Sequence, residues 1–344
     1  MSIKDQTIAY SILELASVAY GSSVSETFSK SLELAQLAEQ WNYSRFWLAE
    51  HHNMISIASS APQVLIGYIA GGTKRIKVGS GGIMLPNHSP LIVAEQFGTL
   101  GALYPGRIDL GLGRAPGTDQ VTANAIRPER MTSVYRFPDE ISMIQQYFSP
   151  DNKNAKVRAP VAEGVNVPFF ILGSSTDSAY VAAQKGLPYA FASHFAPAML
   201  LQALDIYRTN FRPSTYLSEP YTIAGINVIA AETDEKAEFL STTLVNLILG
   251  VLTGNIDYVQ EPVEMSPEIR SFMENPAFER MLKYAFIGSK ETVKTRTQEF
   301  LALTGVDELM VVSHLYHHQD RLYSYQTFSE IMLEINRTKA KVHI

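Results

Sequence analysis

The chain contains no cysteine among its 344 residues. That absence excludes a disulfide framework, a thiolate zinc site, a cysteine-ligated iron–sulfur cluster and a cysteine nucleophile. Charged residues are also scarce, at 18%, and the acidic side chains outnumber the basic ones by 34 to 28. Because basic residues are not in excess, the composition gives no reason to expect a nucleic-acid partner.

Long hydrophobic runs are missing as well. No stretch approaches the roughly 18 apolar residues that cross a bilayer, and residues 1–6 lack the basic and apolar segments of a signal peptide. We therefore expect a cytoplasmic protein without a membrane partner. Hydrophobic residues make up 46% of the chain, which is typical of a globular protein with a large core. The length fits one large domain or two small ones.

Short β-rich segments alternate with longer segments of 3.6-residue periodicity. This alternation predicts a parallel sheet with helical connections, and eight repeats fit a closed (β/α)8 barrel better than an open doubly wound sheet. The predicted strands are residues 8–13, 45–48, 76–78, 108–112, 167–172, 189–192, 223–230 and 308–312.

Two segments interrupt the alternation. Residues 114–160 contain five prolines and several charges. The segment is too long for one loop, so we expect an insertion with helices of its own. Residues 253–285 are also rich in proline and show little periodicity. This second segment is interpreted either as a mobile lid or as a surface loop.

Reactive groups of such a barrel lie at the carboxyl ends of its strands. The second predicted strand is followed by Glu50, His51 and His52. Adjacent residues of an extended backbone point to opposite sides, so the two histidines are poorly placed to share a metal ion. A catalytic base or hydrogen-bond donor at one of them is favoured over a metal site. The alternative is a histidine whose hydrogen bonds are satisfied within the core.

Glycines and an arginine follow the third and fourth strands. Gly81 and Gly82 allow the backbone to approach a flat ligand, or they form a β-bulge. Arg114 lies between glycines and suits a phosphate, because its planar guanidinium makes paired charge-assisted hydrogen bonds. The alternative is an arginine in a surface loop.

Hydroxyl side chains follow the fifth strand and lead directly into a helix. Ser174, Ser175 and Ser178, with the free N–H groups of the helix, can form an anion site. They can also simply cap the helix. Together with Arg114, they predict a ligand that carries one phosphate. A last cluster of histidines, at residues 314–318, receives no assigned role.

The chain resembles the bacterial luciferase-like monooxygenases, flavin-dependent oxidoreductases that include the alkanal monooxygenase alpha chain. The order and spacing of several motifs carry the resemblance along most of the chain. They are residues 47–52 (WLAEHH), 81–86 (GGIMLP), 105–114 (PGRIDLGLGR), 173–178 (GSSTDS), 182–188 (AAQKGLP) and 286–293 (FIGSKETV). The resemblance implies a luciferase-like (β/α)8 TIM barrel, with residues 1–344 forming one domain. It places the segment 253–285 at the family's mobile lid, and it implies a homodimer.

The resemblance also implies a reaction. Reduced FMN would bind at the strand ends, and one oxygen atom of O2 would pass to a small, aldehyde-like substrate through a flavin C4a-hydroperoxide. His51 matches the catalytic acid/base of the luciferase, and Glu50 matches a residue beside the flavin. The Gly81–Gly82 bond falls where the family has a non-proline cis peptide against the flavin. The residues that match its phosphate cradle are Arg114, Ser174, Ser175 and Ser178.

The match is not complete. The luciferase alpha chain has a glutamate in place of Ser174 and a threonine in place of Ser178. A second phosphate arginine falls near both Arg127 and Arg130. No nicotinamide fingerprint is present, so we expect a separate flavin reductase to supply reduced FMN.

Three other functions stay open at this point. They are hydride transfer with deazaflavin F420 or FMN on the same kind of barrel, non-catalytic flavin binding, and a metal-dependent hydrolase built on the histidines. The identity of the organic substrate is not determined by the sequence.

Overall fold

The computed structural model describes residues 7–128 and 130–342, and it contains a closed barrel of parallel strands. The strands are β1 (Ala9–Glu14), β2 (Arg45–Leu48), β3 (Lys77–Ser80), β4 (Ile83–Met84), β5 (Ile108–Gly113), β6 (Phe169–Gly173), β7 (Tyr189–Phe191), β8 (Thr222–Ala230), β9 (Ala285–Gly288) and β10 (Glu308–Val312). The barrel order is β1-β2-β3-β5-β6-β7-β8-β10, and it closes because β10 pairs with both β8 and β1. The predicted (β/α)8 barrel is confirmed, and each predicted strand overlaps one of these eight.

Helices surround the barrel and also occupy its longer connections. They are α1 (Val24–Gln40), α2 (Pro62–Gly72), α3 (Pro90–Leu103), α4 (Gln120–Ile126), α5 (Arg130–Tyr135), α6 (Phe137–Phe148), α7 (Thr176–Lys185), α8 (Leu200–Asn210), α9 (Asp234–Thr253), α10 (Pro267–Met273), α11 (Pro276–Leu282), α12 (Lys290–Thr304) and α13 (His318–Val342). Helices α4, α5 and α6 lie within the segment 114–160, and α6 packs against α3.

Five of the elements were not predicted from the sequence: β4, β9, α10, α11 and α13. Strand β4 has two residues, too few for a periodicity signal, and β9 pairs only with the last residues of β8, outside the barrel. Helix α13 was also not predicted, although Leu322, Tyr325 and Phe328 recur on its buried face at a helical spacing.

Strand alternation divides the core into an interior and an outer layer. Leu13 and Trp47 belong to a cluster inside the barrel, with Phe170, Ile223 and Met310. Residues one position away point outward and join the larger core under the helices. The carboxyl ends of the strands surround an opening of the barrel, called the mouth below. The same alternation decides which residues face this mouth where each strand ends.

An ion triad lies inside the barrel at its amino-terminal end. The Arg45 guanidinium is 2.6 Å from Asp109 Oδ2 and 3.1 Å from Glu308 Oε1. Both carboxylates are almost fully buried, and the Arg45 guanidinium also stacks over the Phe170 ring at 4.8 Å. The triad joins the first residues of three strands, far from the carboxyl ends.

Replacing Arg45 with methionine is expected to destabilise the fold by about 3–5 kcal/mol, because two buried carboxylates lose their cation. Urea denaturation measures the change in the free energy of unfolding. Lys290→Met is the control, since it removes an exposed lysine that pairs with Glu330 and is expected to cost less than about 1 kcal/mol. Equal losses in the two variants would contradict a structural role for the triad.

The segment 253–285 is attached to the carboxyl end of the barrel. The N–H of Val259 donates to the carbonyl of Val18 at 2.9 Å, and the N–H of Tyr20 donates to the carbonyl of Val259 at 2.8 Å. Phe278 of α11 is buried in a satellite core formed with α9 and β9. The segment therefore lies beside the chain that follows β1, at the rim of the mouth.

Helix α9 is long and apolar enough to cross a bilayer by length and composition, and it alone passes that test in the described part of the chain. Its residues Leu240, Leu244 and Ile248 pack into the satellite core. A core helix of a barrel protein passes the same test, so the apolar character of α9 is weak evidence for a membrane span.

Candidate functional site

A glycine-lined wall stands at the end of β3. The peptide bond between Gly81 and Gly82 is cis, at the position that the resemblance implies. A Cβ added to Gly81 would lie 2.5 Å from Leu13 Cδ1, and one added to Gly82 would lie 2.7 Å from the carbonyl oxygen of Gly111. Side chains are therefore excluded here, and the wall presents flat backbone to whatever lies in the mouth.

His51 points into the mouth beside this wall. Trp47 and Ala49 belong to the interior cluster, so alternation directs His51 the same way and Glu50 the other way. The Nδ1–H of His51 donates to the carbonyl oxygen of Gly117 at 3.3 Å, which leaves Nε2 as an acceptor. Burial lowers the pKa of His51 below its ordinary value, so the ring is neutral at neutral pH and can take up a proton.

Glu50 is fully buried and binds donors of the protein itself. Its carboxylate accepts hydrogen bonds from His52 Nε2 and His88 Nε2, both at 2.9 Å, from the N–H of Met84 at 2.9 Å, and from Asn87 Nδ2 at 3.2 Å. Burial acts to raise the pKa of Glu50, but the hydrogen bonds from His52 and His88 lower it to about 2. The ionised carboxylate thus joins the end of β2 to the loop that follows the cis peptide.

The residues that were predicted to bind a phosphate lie at the ends of β5 and β6. Ser175 is the N-cap of α7, but its side chain makes no capping hydrogen bond, so the hydroxyl is not used as a cap. The guanidinium of Arg114 reaches the same helix and lies 2.8 Å from Asp177 Oδ2. Ser174 is partly exposed beside them. The guanidinium of Arg114 and the N-terminus of α7 therefore lie together, as an anion site requires.

Ser178 faces the opposite way. It is buried, its hydroxyl donates to the carbonyl of Ser175 at 3.0 Å, and it lies 3.1 Å from the hydroxyl of Tyr189. A Cβ on Gly173 would collide with Ser178. Ser178 thus holds the first turn of α7 against β6 and β7, beneath the cradle.

Arg127 binds the loop after the cis peptide. Its Nη1 donates to the carbonyl of His88 at 2.7 Å and to that of Pro86 at 3.3 Å. The structure therefore uses this arginine to hold the loop. The side chain of Arg130 lies outside the described residues.

Sequence analysis missed three side chains at the mouth: His88, His194 and Asn227. His88 completes the Glu50 cluster from a loop that carries no local signal. His194 lies in the turn after β7, so the rule applied to the other strand ends would have found it. Asn227 lies within β8 and has no signal of its own.

His194 belongs to a group of three histidines at the mouth, with His51 and His314. Burial lowers the pKa of His194 to about 3, with smaller contributions from His314 and His51. Burial also lowers the pKa of His314 to about 4, with a contribution from Arg321. All three rings are therefore neutral at neutral pH. Within residues 7–128 and 130–342, no three histidine, aspartate or glutamate side chains are arranged to hold a metal ion.

Comparison with known proteins gives a consistent result. The family model for luciferase-like monooxygenases matches residues 8–328. A luciferase-like monooxygenase of Escherichia coli (strain K12) is 46% identical over 96% of this chain and 99% of its own length. An N-acetyl-S-alkylcysteine monooxygenase of Bacillus subtilis (strain 168) is 32% identical over 96% of this chain and its own full length, 100%.

Solved structures share the fold. Apo-MsnO8 superposes with a TM-score of 0.86 at 33% identity and covers 95% of this chain and 98% of its own. At 17% identity, the oxygenating constituent of 3,6-diketocamphane monooxygenase, solved with FMN, superposes with a TM-score of 0.70 over 94% of this chain and 97% of its own. At 16% identity, an F420-dependent secondary alcohol dehydrogenase superposes with a TM-score of 0.68 over 95% of this chain and 98% of its own.

Proposed function

Because this chain belongs to the luciferase-like monooxygenase family, we propose that it is an FMN-dependent monooxygenase that acts on a small organic substrate. One observation carries the choice of a cofactor that bears a phosphate. The N-terminus of α7, with Ser175 not used as a cap, lies beside Arg114 at the carboxyl end of the barrel. This arrangement fits one phosphate, and the neighbouring glycine wall fits a flat ring.

Bound reduced FMN would supply the transfer of one oxygen atom from O2 through a C4a-hydroperoxide. Arg114, Ser174 and Ser175 would hold its phosphate, and the backbone of Gly81 and Gly82 would pack against its ring. Neither glycine carries a side chain that would stand between its backbone and a ring, so the residues present fit the group.

His51 and Glu50 have different tasks in this proposal. His51 offers a neutral Nε2 at the mouth, so it can accept and return a proton at the reacting centre. Glu50 is fully occupied by protein donors, so it is a positioning residue that fixes the loop behind the cis peptide. Ser178 positions α7 in the same indirect way.

The test is oxygen incorporation. Protein mixed with photoreduced FMN under 18O2 should place one labelled oxygen atom in a product, using a long-chain aldehyde and an N-acetyl-S-alkylcysteine as first substrates. The second choice follows from the named substrate of the Bacillus subtilis relative. Reduction of F420 by a secondary alcohol without oxygen uptake would replace this proposal with hydride transfer. If the protein binds oxidised FMN tightly but catalyses neither oxygen incorporation nor hydride transfer, it is a non-catalytic flavin-binding protein.

The segment 253–285 is proposed as the lid of this site. Val259 lines a small cavity of about 30 Å³ together with Ser17 and His314, so outward movement of the segment would enlarge the mouth. A closed lid would exclude water from the reaction. Proteolysis within the segment should slow when FMN is bound, and an unchanged rate would contradict the lid.

A separate flavin reductase is proposed as the source of reduced FMN, and the cytoplasm as the place of action. The first rests on the sequence, in which no nicotinamide fingerprint is found. Turnover with NADPH and FMN alone, without an added reductase, would contradict the proposal of a separate flavin reductase.

A homodimer is proposed through α2 and α3. Apolar side chains stand exposed on both helices: Val64 at 71%, Tyr68 at 45%, Ile92 at 46% and Leu103 at 63%. Exposed apolar side chains of this kind suit a self-complementary interface. Light scattering should report a dimer for the native chain and a monomer for the double variant Val64→Lys and Tyr68→Lys.

The matched control is Val251→Lys, which changes an exposed valine on α9. It should leave the dimer intact. A native monomer at micromolar concentration would refute the proposed interface.

A further inference from the structure

Two buried polar atoms at the ends of β7 and β8 have no hydrogen-bond partner. They are Nδ1 of His194 and Oδ1 of Asn227. The Nδ2 group of Asn227 donates to the carbonyl oxygen of His194 at 2.6 Å, so the two residues touch, and the amide oxygen is the atom left over as an acceptor. Buried polar atoms are rarely unpaired, and a neighbouring pair of them calls for an explanation.

Both side chains face the mouth of the barrel. Ile223 packs inside the barrel, and alternation along β8 directs Gly225 and Asn227 to the same face. The His194 ring lies over Gly225, where an added Cβ would overlap Nδ1. The glycine therefore makes room for the imidazole above the interior cluster.

The burial of Nδ1 favours one tautomer of His194. Nδ1 has no acceptor within hydrogen-bond distance, and a buried N–H without an acceptor is rarer in proteins than an unpaired acceptor, so the proton belongs on Nε2. The ring is neutral because burial lowers its pKa to about 3. His194 thus presents an N–H donor without charge, while His51 presents an acceptor.

The barrel order places these residues opposite the glycine wall. In the closed order β1-β2-β3-β5-β6-β7-β8-β10, β8 is four strands from β3 in either direction. A flat ring on Gly81 and Gly82, with its phosphate held between β5 and β6, leaves the side of β7 and β8 for the second reactant. This step rests on the proposed function.

We propose that His194 and Asn227 form a substrate subsite for an uncharged group that carries both a hydrogen-bond acceptor and an N–H or O–H donor, such as a carboxamide. The N–H of His194 binds the acceptor of that group, and the amide oxygen of Asn227 binds its donor. A carboxylate finds no free cation here, because the nearby guanidinium of Arg321 is paired with Glu14.

Three probes of equal chain length test the subsite: hexanamide, N,N-dimethylhexanamide and hexanoate. Calorimetric titration of the FMN-loaded protein should show hexanamide binding about 10-fold more tightly than either of the others, the effect of one matched hydrogen bond with a buried partner. Asn227→Leu should abolish the preference and leave the affinity for FMN within about twofold.

Ser193→Ala is the matched control. Ser193 is buried and donates to the carbonyl of Gly225 at 2.6 Å, so the variant loosens the same β7–β8 contact and leaves both unpaired atoms in place. It should keep the preference for hexanamide.

Equal affinities for the three probes would overturn the subsite, as would tightest binding of hexanoate. These outcomes come from the native protein, so they hold even when Asn227→Leu fails to fold. The titration needs no turnover. A hexanamide preference without oxygen incorporation would therefore overturn the proposed function alone, and oxygen incorporation without the preference would overturn the subsite alone.

Discussion

His51→Ala is expected to lower kcat by about 10²- to 10⁴-fold, the range for loss of a general acid/base. The reason is geometric. Donation of Nδ1–H to Gly117 leaves Nε2 of His51 as the acceptor, and alanine offers no acceptor at that position. The affinity for oxidised FMN, measured by fluorescence quenching, should change little, because the phosphate and the ring are held elsewhere.

The pH profile of the native enzyme provides a second readout. Burial lowers the pKa of His51 below the ordinary histidine value, so Nε2 stays unprotonated until the pH falls below that value. Activity should therefore be lost on the acid side at a pH lower than 6.5, as His51 takes up its proton. The control is His317→Ala, a change at an exposed histidine that follows β10 at the carboxyl end of the barrel. Equal kcat in His51→Ala and the native enzyme would remove the assigned role.

Arg114→Ala is expected to weaken FMN binding by about 10- to 100-fold and to leave riboflavin binding nearly unchanged. Hydrogen bonds to a charged group contribute about 1.5–3 kcal/mol, and only FMN carries the phosphate that Arg114 would bind. Equal losses for the two flavins would contradict the phosphate assignment. Fluorescence titration with each flavin measures the difference.

Two variants control this result. Arg158→Ala removes an exposed arginine that binds Glu163 at 2.6 Å, away from the mouth, and should affect neither flavin. Asp177→Asn removes the carboxylate that Arg114 contacts in the structure. Because that carboxylate competes with a phosphate, FMN should bind this variant at least as tightly as the native protein.

Local sequence patterns were sufficient for the barrel. Eight β-rich segments separated by helical periodicity indicated eight strands, and each was found, because period-2 and period-3.6 patterns reflect local backbone geometry. Such patterns did not reveal β9, which is short and pairs outside the barrel.

The candidate site was only partly predictable. His51, Arg114 and the serines after the sixth strand lie at strand ends, so a rule about parallel barrels locates them. The opposite orientations of Glu50 and His51 also follow from alternation. The partners of Glu50 do not, because His88 lies 38 positions along the chain and meets the carboxylate only when the loop after β4 folds back.

The sequence by itself determined the repeating architecture, the absence of cysteine chemistry and the positions where glycine is required beside a flat wall. The tertiary structure alone decided which polar atoms are paired. Barrel closure brings Asn227 of β8 against His194 in the turn after β7, and it leaves each residue with a buried atom that nothing satisfies. Hydrogen bonding depends on distances between elements remote in sequence, and no local pattern encodes those distances.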